Sequence, residues 1–124
     1  MTIDTRFFRA AVIYALVGMA IGIHMASSHD HSLAPAHAHW LLLGWVSMFL
    51  YGVFYKLFPA AQGKLAVWQW WLANIGVIVM VSGIALIVTG TPTRGEPVAA
   101  IGALINITNM LLFAINVFRG VRRP

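Results

Sequence analysis

The chain has 124 residues, of which 60% are hydrophobic and only 9% are charged, and its formal net charge is +5. Soluble domains carry about 25% charged residues, so this composition excludes a soluble globular domain and predicts contact with a lipid bilayer. The basic residues stand at the ends of apolar runs and form no single polar face, which argues against a nucleic-acid partner. The chain has no cysteine, which excludes disulfides, thiolate metal sites, iron–sulfur clusters and covalently attached c-type haem.

Four apolar stretches, taken in chain order, predict four membrane-spanning helices. They cover about residues 7–26, 38–58, 66–88 and 98–118, each close to the ~20 residues that a helix needs to cross ~30 Å of hydrocarbon. The formal charges inside them are Arg9 and Lys56, both near an end, where long side chains reach water. The first stretch exceeds the apolar core of a signal peptide, so we expect it to be retained. The predicted fold is all-α, an integral membrane four-helix domain over residues 1–124.

The connections between these stretches are short, which predicts an antiparallel, up-down-up-down bundle. They cover residues 27–38, 59–65 and 89–97, and the last is dense in turn-forming residues. In this topology seven basic residues lie on one side of the membrane and only Arg94 on the other. Because the cytoplasmic side carries the excess of lysine and arginine, both termini are predicted to be cytoplasmic, in a bacterial inner membrane. The seven are Arg6, Arg9, Lys56, Lys64, Arg119, Arg122 and Arg123.

Small and polar residues inside the spans predict helix contacts. Glycines at helical spacing favour packing within the chain, with a homo-oligomer interface as the alternative. Polar residues of the last two spans favour hydrogen bonds between helices, and a pocket for a haem propionate, quinone or ion is the alternative. Among these, Asn74 and Asn116 lie closer to the cytoplasmic side, where they could meet. The glycines are Gly18, Gly22, Gly44, Gly52, Gly76 and Gly83, and the polar residues are Asn74, Ser82, Asn106, Thr108, Asn109 and Asn116.

All five histidines fall at the outer, periplasmic end of the first two spans. Because antiparallel neighbours bring the end of the first span beside the start of the second, the five imidazoles are expected within a small volume. An ionisable side chain within a span is by default a functional hypothesis. We therefore predict haem or metal ligation by this cluster, and the alternative is a solvated polar loop. The five are His24, His29, His31, His37 and His39.

Helix geometry restricts which of these histidines can act together. Pro35 suits a first helical turn, and residues two apart in a helix point about 200° apart, so only one of His37 and His39 faces the bundle. Asp30 lies between two histidines, where it would orient a ligating imidazole or remain solvated. Imidazole ligands suit copper, zinc, nickel or iron, and a pair of them also suits b-type haem.

Residues 37–59, HAHWLLLGWVSMFLYGVFYKLFP, resemble the second transmembrane helix of subunit I in the haem–copper oxidase and nitric oxide reductase superfamily. The likeness is greatest to the cbb3-type and nitric oxide reductase branch. The resemblance implies that a histidine of this helix is an axial ligand of a b-type haem. The alignment places that ligand at His37 or, if the spacing to Trp40 and Gly44 is weighted, at His39.

Departures from the family pattern limit what the resemblance implies. The family's second haem ligand comes from a later helix, and the last two spans here contain no histidine, so His24 or a second protomer would have to supply it. The copper-centre histidines and their tyrosine partner are absent, so catalytic reduction of oxygen or nitric oxide is not expected. The predicted function is electron transfer, sensing or cofactor handling by haem bound at His24, His37 and His39. The alternatives are a haem-free copper or zinc protein and a non-catalytic accessory subunit of a respiratory complex.

Overall fold

The computed structural model describes residues 1–121, and every regular element in this part of the chain is helical. Four helices are long and apolar enough to cross a membrane: α1 (Ile3–Ser28), α2 (Ala34–Leu57), α3 (Lys64–Val88) and α4 (Pro92–Gly120). The all-helical class and the presence of four helices long and apolar enough to cross a membrane are thus confirmed, and the chain has the make-up of a multi-pass membrane protein. Arg122 and Arg123, which the orientation argument counted, lie outside the described residues.

The helices are longer than the apolar stretches, and the largest difference is at the start of α4. The third connection was predicted to cover residues 89–97, but α4 already begins at Pro92. Proline suits a first helical turn because the amide hydrogens there have no partner within the helix. The turn-forming residues 92–97 therefore build the first turns of a helix, and the prediction of a loop there was wrong.

The middle of α2 departs from α-helical geometry. Its segments Ala34–His39 and Met48–Leu57 are α-helical, whereas the eight residues Trp40–Ser47 form a π-helix. The hydroxyl of Ser47 donates to the carbonyl oxygen of Leu42, five residues earlier, at 2.7 Å. A π-helical segment widens the turn and rotates the residues before it relative to those after it. It therefore changes which side chains of α2 face the neighbouring helices.

Glycines bring α1 and α2 together along their whole length. A Cβ added at Gly44 would lie 2.5 Å from Cγ of Tyr14, and one at Gly52 would lie 2.8 Å from the ring of Phe8. Such distances leave no room for any side chain, so the small residues allow the close helix approach. The contacting pairs along the two helices are Phe8 with Gly52, Tyr14 with Gly44, Leu41 with Gly18, and His37 with Gly22.

The second helix pair, α3 and α4, is packed even more closely. At Gly83 an added Cβ would meet the backbone of Ala99, and at Gly102 it would meet the backbone of Met80. Asn106 lies against Gly76 and donates through Nδ2 to its carbonyl oxygen at 3.1 Å. The glycines of the last two spans therefore serve contacts inside the chain.

An aromatic core lies between the start of α1 and the second half of α2. Phe7, Met48 and Tyr55 are fully buried there. The ring of Phe7 stacks on Tyr55 at 5.7 Å and meets Tyr51 edge-on at 5.4 Å. Edge-to-face and offset pairs of this kind add about 0.5–1.5 kcal/mol beyond the burial of apolar area. This core holds the helix end opposite to the histidines.

Candidate functional site

The five histidines occupy the end of the α1–α2 pair that faces away from the aromatic core. His24 lies near the C-terminal end of α1, and His29 and His31 lie in the short connection that follows it. His37 and His39 belong to the α-helical segment that opens α2. As the helix geometry predicts, these last two lie in different environments.

The imidazole of His37 packs against α1. A Cβ built on Gly22 would lie 3.2 Å from Cε1 of His37, so the missing side chain provides the space for the ring. Nδ1 of His37 is buried and has no hydrogen-bond partner. A buried polar atom without a partner carries a desolvation cost. His37 is thus the histidine that faces the helix pair.

The imidazole of His39 is half-buried and is held by its own helix. Its Nδ1 lies 2.8 Å from the carbonyl oxygen of Pro35. Because a carbonyl oxygen can only accept a hydrogen bond, Nδ1 is the donor in this bond, which leaves Nε2 as the nitrogen that could coordinate a metal. Histidines that bind metals commonly donate their second N–H to a carbonyl or carboxylate in this way. His39 is therefore the histidine whose tautomer is set for coordination.

His24, His29 and His31 are exposed. Asp30 accepts hydrogen bonds from the hydroxyl of Ser32 and, at 3.0 Å, from its backbone N–H. These bonds, with a smaller effect of positive charge on His24 and His31, hold the pKa of the Asp30 carboxyl below its usual value of 3.8. The carboxylate of Asp30 thus stabilises the turn at Ser32. The role predicted for it from the sequence was to orient a ligating imidazole or to remain solvated.

The structure does not gather the five imidazoles into one ligand set. Within residues 1–121, no three histidine, aspartate or glutamate side chains form a group that could hold a metal ion. His37 and His39 diverge, because they are two residues apart in an α-helical turn. A single chain therefore offers separate imidazoles as metal ligands, and among them His39 has the tautomer best defined by a hydrogen bond.

Polar contacts in the interior join α2 to both later helices. The hydroxyl of Tyr55 donates to Oε1 of Gln69 and accepts from Nδ2 of Asn116, the latter at 2.7 Å. Nδ2 of Asn109 donates to the hydroxyl of Tyr51 at 3.2 Å. Gln69, Asn109 and Asn116 are all buried. The network links three helices at the level of the aromatic core.

The asparagines of this network were predicted from the sequence to bond between helices, whereas Tyr51, Tyr55 and Gln69 were not. The four-residue spacing of the two tyrosines places them on one helix face, and this signal was available. Asn74 and Asn116 do not meet. Instead, Asn74 accepts from the hydroxyl of Tyr14 at 3.0 Å and donates to the carbonyl oxygen of Trp70 at 2.8 Å.

Comparison with known proteins gives two matches. A family model described as "Protein of unknown function (DUF2871)" matches residues 5–115. The chain is also 34% identical over 115 residues to cytochrome c oxidase subunit 1 of Rhodobacter capsulatus; the match covers 83% of this chain and 21% of that protein. The chain therefore spans about a fifth of the length of this relative. No solved structure matches.

Proposed function

Since this chain belongs to the family described as DUF2871, we propose that it is a bacterial inner-membrane protein that binds b-type haem through His39 at its periplasmic face. The bound haem would supply one-electron redox chemistry, for electron transfer or for sensing. The observation that carries the proposal is the bond from Nδ1 of His39 to the carbonyl oxygen of Pro35. It uses Nδ1 as the donor and so leaves Nε2 as the nitrogen that would bind the iron, on a residue that is half-buried.

The likeness to an oxidase subunit supports haem as the ligand. The curated relative is a cytochrome c oxidase subunit 1, and the residues that resemble its superfamily begin at His37. Both candidate ligands of that resemblance lie in the first segment of α2. Of the two, His37 packs against Gly22 of α1, which leaves little space for a haem on that face. We therefore assign the haem to the face of His39.

The second axial ligand comes from a second copy of the chain in this proposal, and His24, the other source that the sequence allows, is the alternative. His37 points to the other face of the same helix, so one iron cannot be held by both. In a twofold-symmetric dimer, each copy would present the same His39 to the axis, and one haem would then be held between two chains. A ratio of one haem to two chains is thus a specific expectation.

The proposed membrane orientation is an antiparallel bundle with both termini in the cytoplasm. The contacts that pair Phe8 with Gly52 and His37 with Gly22 support it, since the residue number falls in one helix as it rises in the other. Arg6, Arg9 and Lys56 lie at the end opposite to the histidines, which agrees with cytoplasmic placement of basic residues.

The test is an optical spectrum of detergent-purified protein from cells supplied with haem and metals, as isolated and after dithionite reduction, with metal analysis on the same sample. We expect a Soret band and sharp reduced bands at about one haem per two chains. His39→Ala should abolish them, whereas His31→Ala, an exposed histidine of the adjacent loop, should retain them.

A Soret band of equal intensity in His39→Ala would refute the assignment. Colourless protein with stoichiometric copper or zinc would favour the metal site without haem. Colourless, metal-free protein that co-purifies with a respiratory complex would favour an accessory subunit. Oxygen reduction is not proposed, because α3 and α4 contain no histidine for a copper centre.

A further inference from the structure

A groove of about 730 Å³ runs along the outside of the bundle between α1 and α3. On α1 it is lined by a single helix face that extends from Arg6 to Val17, and on α3 by residues from Trp70 to Ile78. Tyr14 and Asn74 also line it and are hydrogen-bonded to each other at 3.0 Å. The volume lies in the range of about 300–1,000 Å³ that is usual for small-molecule sites.

One end of the groove carries two positive charges without acidic partners. Arg6 and Arg9 both line it, and the guanidinium of Arg6 lies 5.8 Å from the centre of the Trp70 ring. Asp4, the nearest carboxylate in sequence, pairs with Lys56 and accepts from Gln62 instead. Among the residues that the structure describes, neither arginine forms a salt bridge. This end of the groove therefore favours an anionic head group.

The rest of the groove is lined mainly by apolar side chains and covers most of the length of one lipid leaflet. Beyond the arginines it is lined by side chains such as Ile13, Val17 and Ile78. From Arg9 to Val17 the helix rises by about 12 Å, at 1.5 Å per residue. Half of a hydrocarbon core of ~30 Å is about 15 Å. A head group at the arginines would thus place its acyl chain along the whole apolar part.

We propose that this groove binds one anionic phospholipid, with its phosphate at Arg6 and Arg9 and an acyl chain between α1 and α3. No histidine lines the groove, although Trp40, which follows the proposed haem ligand His39, does. Guanidinium groups suit phosphate because they donate paired hydrogen bonds to its oxygens. Phosphatidylglycerol is the natural probe, since it differs from phosphatidylcholine in net charge while the acyl chains can be identical.

The test is native mass spectrometry of detergent-purified protein titrated with dioleoyl phosphatidylglycerol or dioleoyl phosphatidylcholine. We expect one retained phosphatidylglycerol per chain and weaker retention of phosphatidylcholine. The double variant Arg6→Gln/Arg9→Gln should bind phosphatidylglycerol roughly 30-fold more weakly, about fivefold for each arginine. The matched control is Lys64→Gln/Arg119→Gln, which removes the same charge from residues outside the groove.

A second pair of variants tests the apolar part and keeps both arginines. Ile13→Trp fills the groove from a position that is 61% exposed, whereas Leu16→Trp, at 63% exposure, adds the same bulk outside the groove. We expect loss of the retained lipid in the first variant only. Equal binding of the two lipids, or unchanged binding in either groove variant, would overturn the proposal. If the arginine variant does not fold, the Ile13→Trp and Leu16→Trp pair decides the result.

Discussion

The indole N–H of Trp40 donates to the backbone oxygen of Tyr14 at 2.8 Å, and this bond ties α2 to the middle of α1. The two rings also meet edge-on at 4.8 Å. The phenol of Tyr14 donates to Asn74 of α3, and its Cβ and ring atoms pack against Gly44. Tyr14 thus has contacts on three sides, so a larger side chain substituted at a neighbouring position cannot displace it easily.

The first prediction concerns Gly44. The Cβ of Gly44→Ala would lie 2.5 Å from Cγ of Tyr14, and the fixed ring leaves only a helix shift to relieve the clash. We expect a loss of about 1–3 kcal/mol in the free energy of unfolding, as for other overpacked interiors. Gly63→Ala is the control, because nothing lies within 4 Å of its added Cβ. Denaturant unfolding in detergent should separate the two, and equal midpoints would contradict the packing of α1 on α2.

The second prediction concerns the hydroxyl of Tyr55. Tyr55→Phe leaves Gln69 and Asn116 buried without their shared hydrogen-bond partner. Because a buried polar group without a partner is destabilising, we expect the free energy of unfolding to fall by about 1–3 kcal/mol. Tyr14→Phe removes a bond to one amide, and Asn74 keeps its bond to Trp70, so a smaller loss of about 0.6 kcal/mol is expected.

A double variant checks the physical cause of the Tyr55 effect. In Tyr55→Phe/Asn116→Leu one of the stranded amides is replaced by an apolar group, so part of the lost stability should return. The same denaturant experiment measures it. If the losses of the two single variants simply add in the double variant, the hydroxyl does not act through Asn116.

The third prediction concerns the pH dependence of the first connection. The bonds from Ser32 depress the pKa of Asp30 below 3.8. Their stabilising effect on the turn is therefore present above pH 3.8 and is lost as the pH falls through the depressed pKa. Titration of the carboxyl carbon by NMR should show this directly. Ser32→Ala should raise the pKa of Asp30 toward 3.8. Ser27→Ala should not change this pKa, because the hydroxyl of Ser27 donates to the carbonyl oxygen of His24 and not to Asp30.

The fourth prediction concerns His29, which follows α1 with a left-handed backbone, φ 56°. A non-glycine residue pays roughly 1–2 kcal/mol for this conformation. His29→Gly should therefore raise the free energy of unfolding by up to about 1 kcal/mol, after the greater entropy of glycine in the unfolded chain is subtracted. His29→Val should lower it. Because His39 is the proposed ligand, the haem content of both variants should equal that of the unchanged protein.

Sequence reasoning located the helices well and their ends less well. The spans follow from composition, because an apolar run of about 20 residues can cross lipid as a helix, in which all backbone hydrogen bonds are made within the segment. The start of α4 was missed because Pro92 and the residues after it, read as a loop, satisfy the rules for a first helical turn. The π-helical segment Trp40–Ser47 was not predicted, because an apolar sequence of this kind is equally typical of an α-helical span.

The sequence by itself determined four apolar helices, the short connections between them and the position of all five histidines near one end. These features depend on hydropathy, chain order and connection length alone. Only the tertiary structure decided that His37 packs on Gly22 while His39 bonds to Pro35, and that Tyr55 joins Gln69 to Asn116. These contacts depend on which helix faces meet, and a rotation of α2 by a fraction of a turn would exchange them without any change in hydropathy.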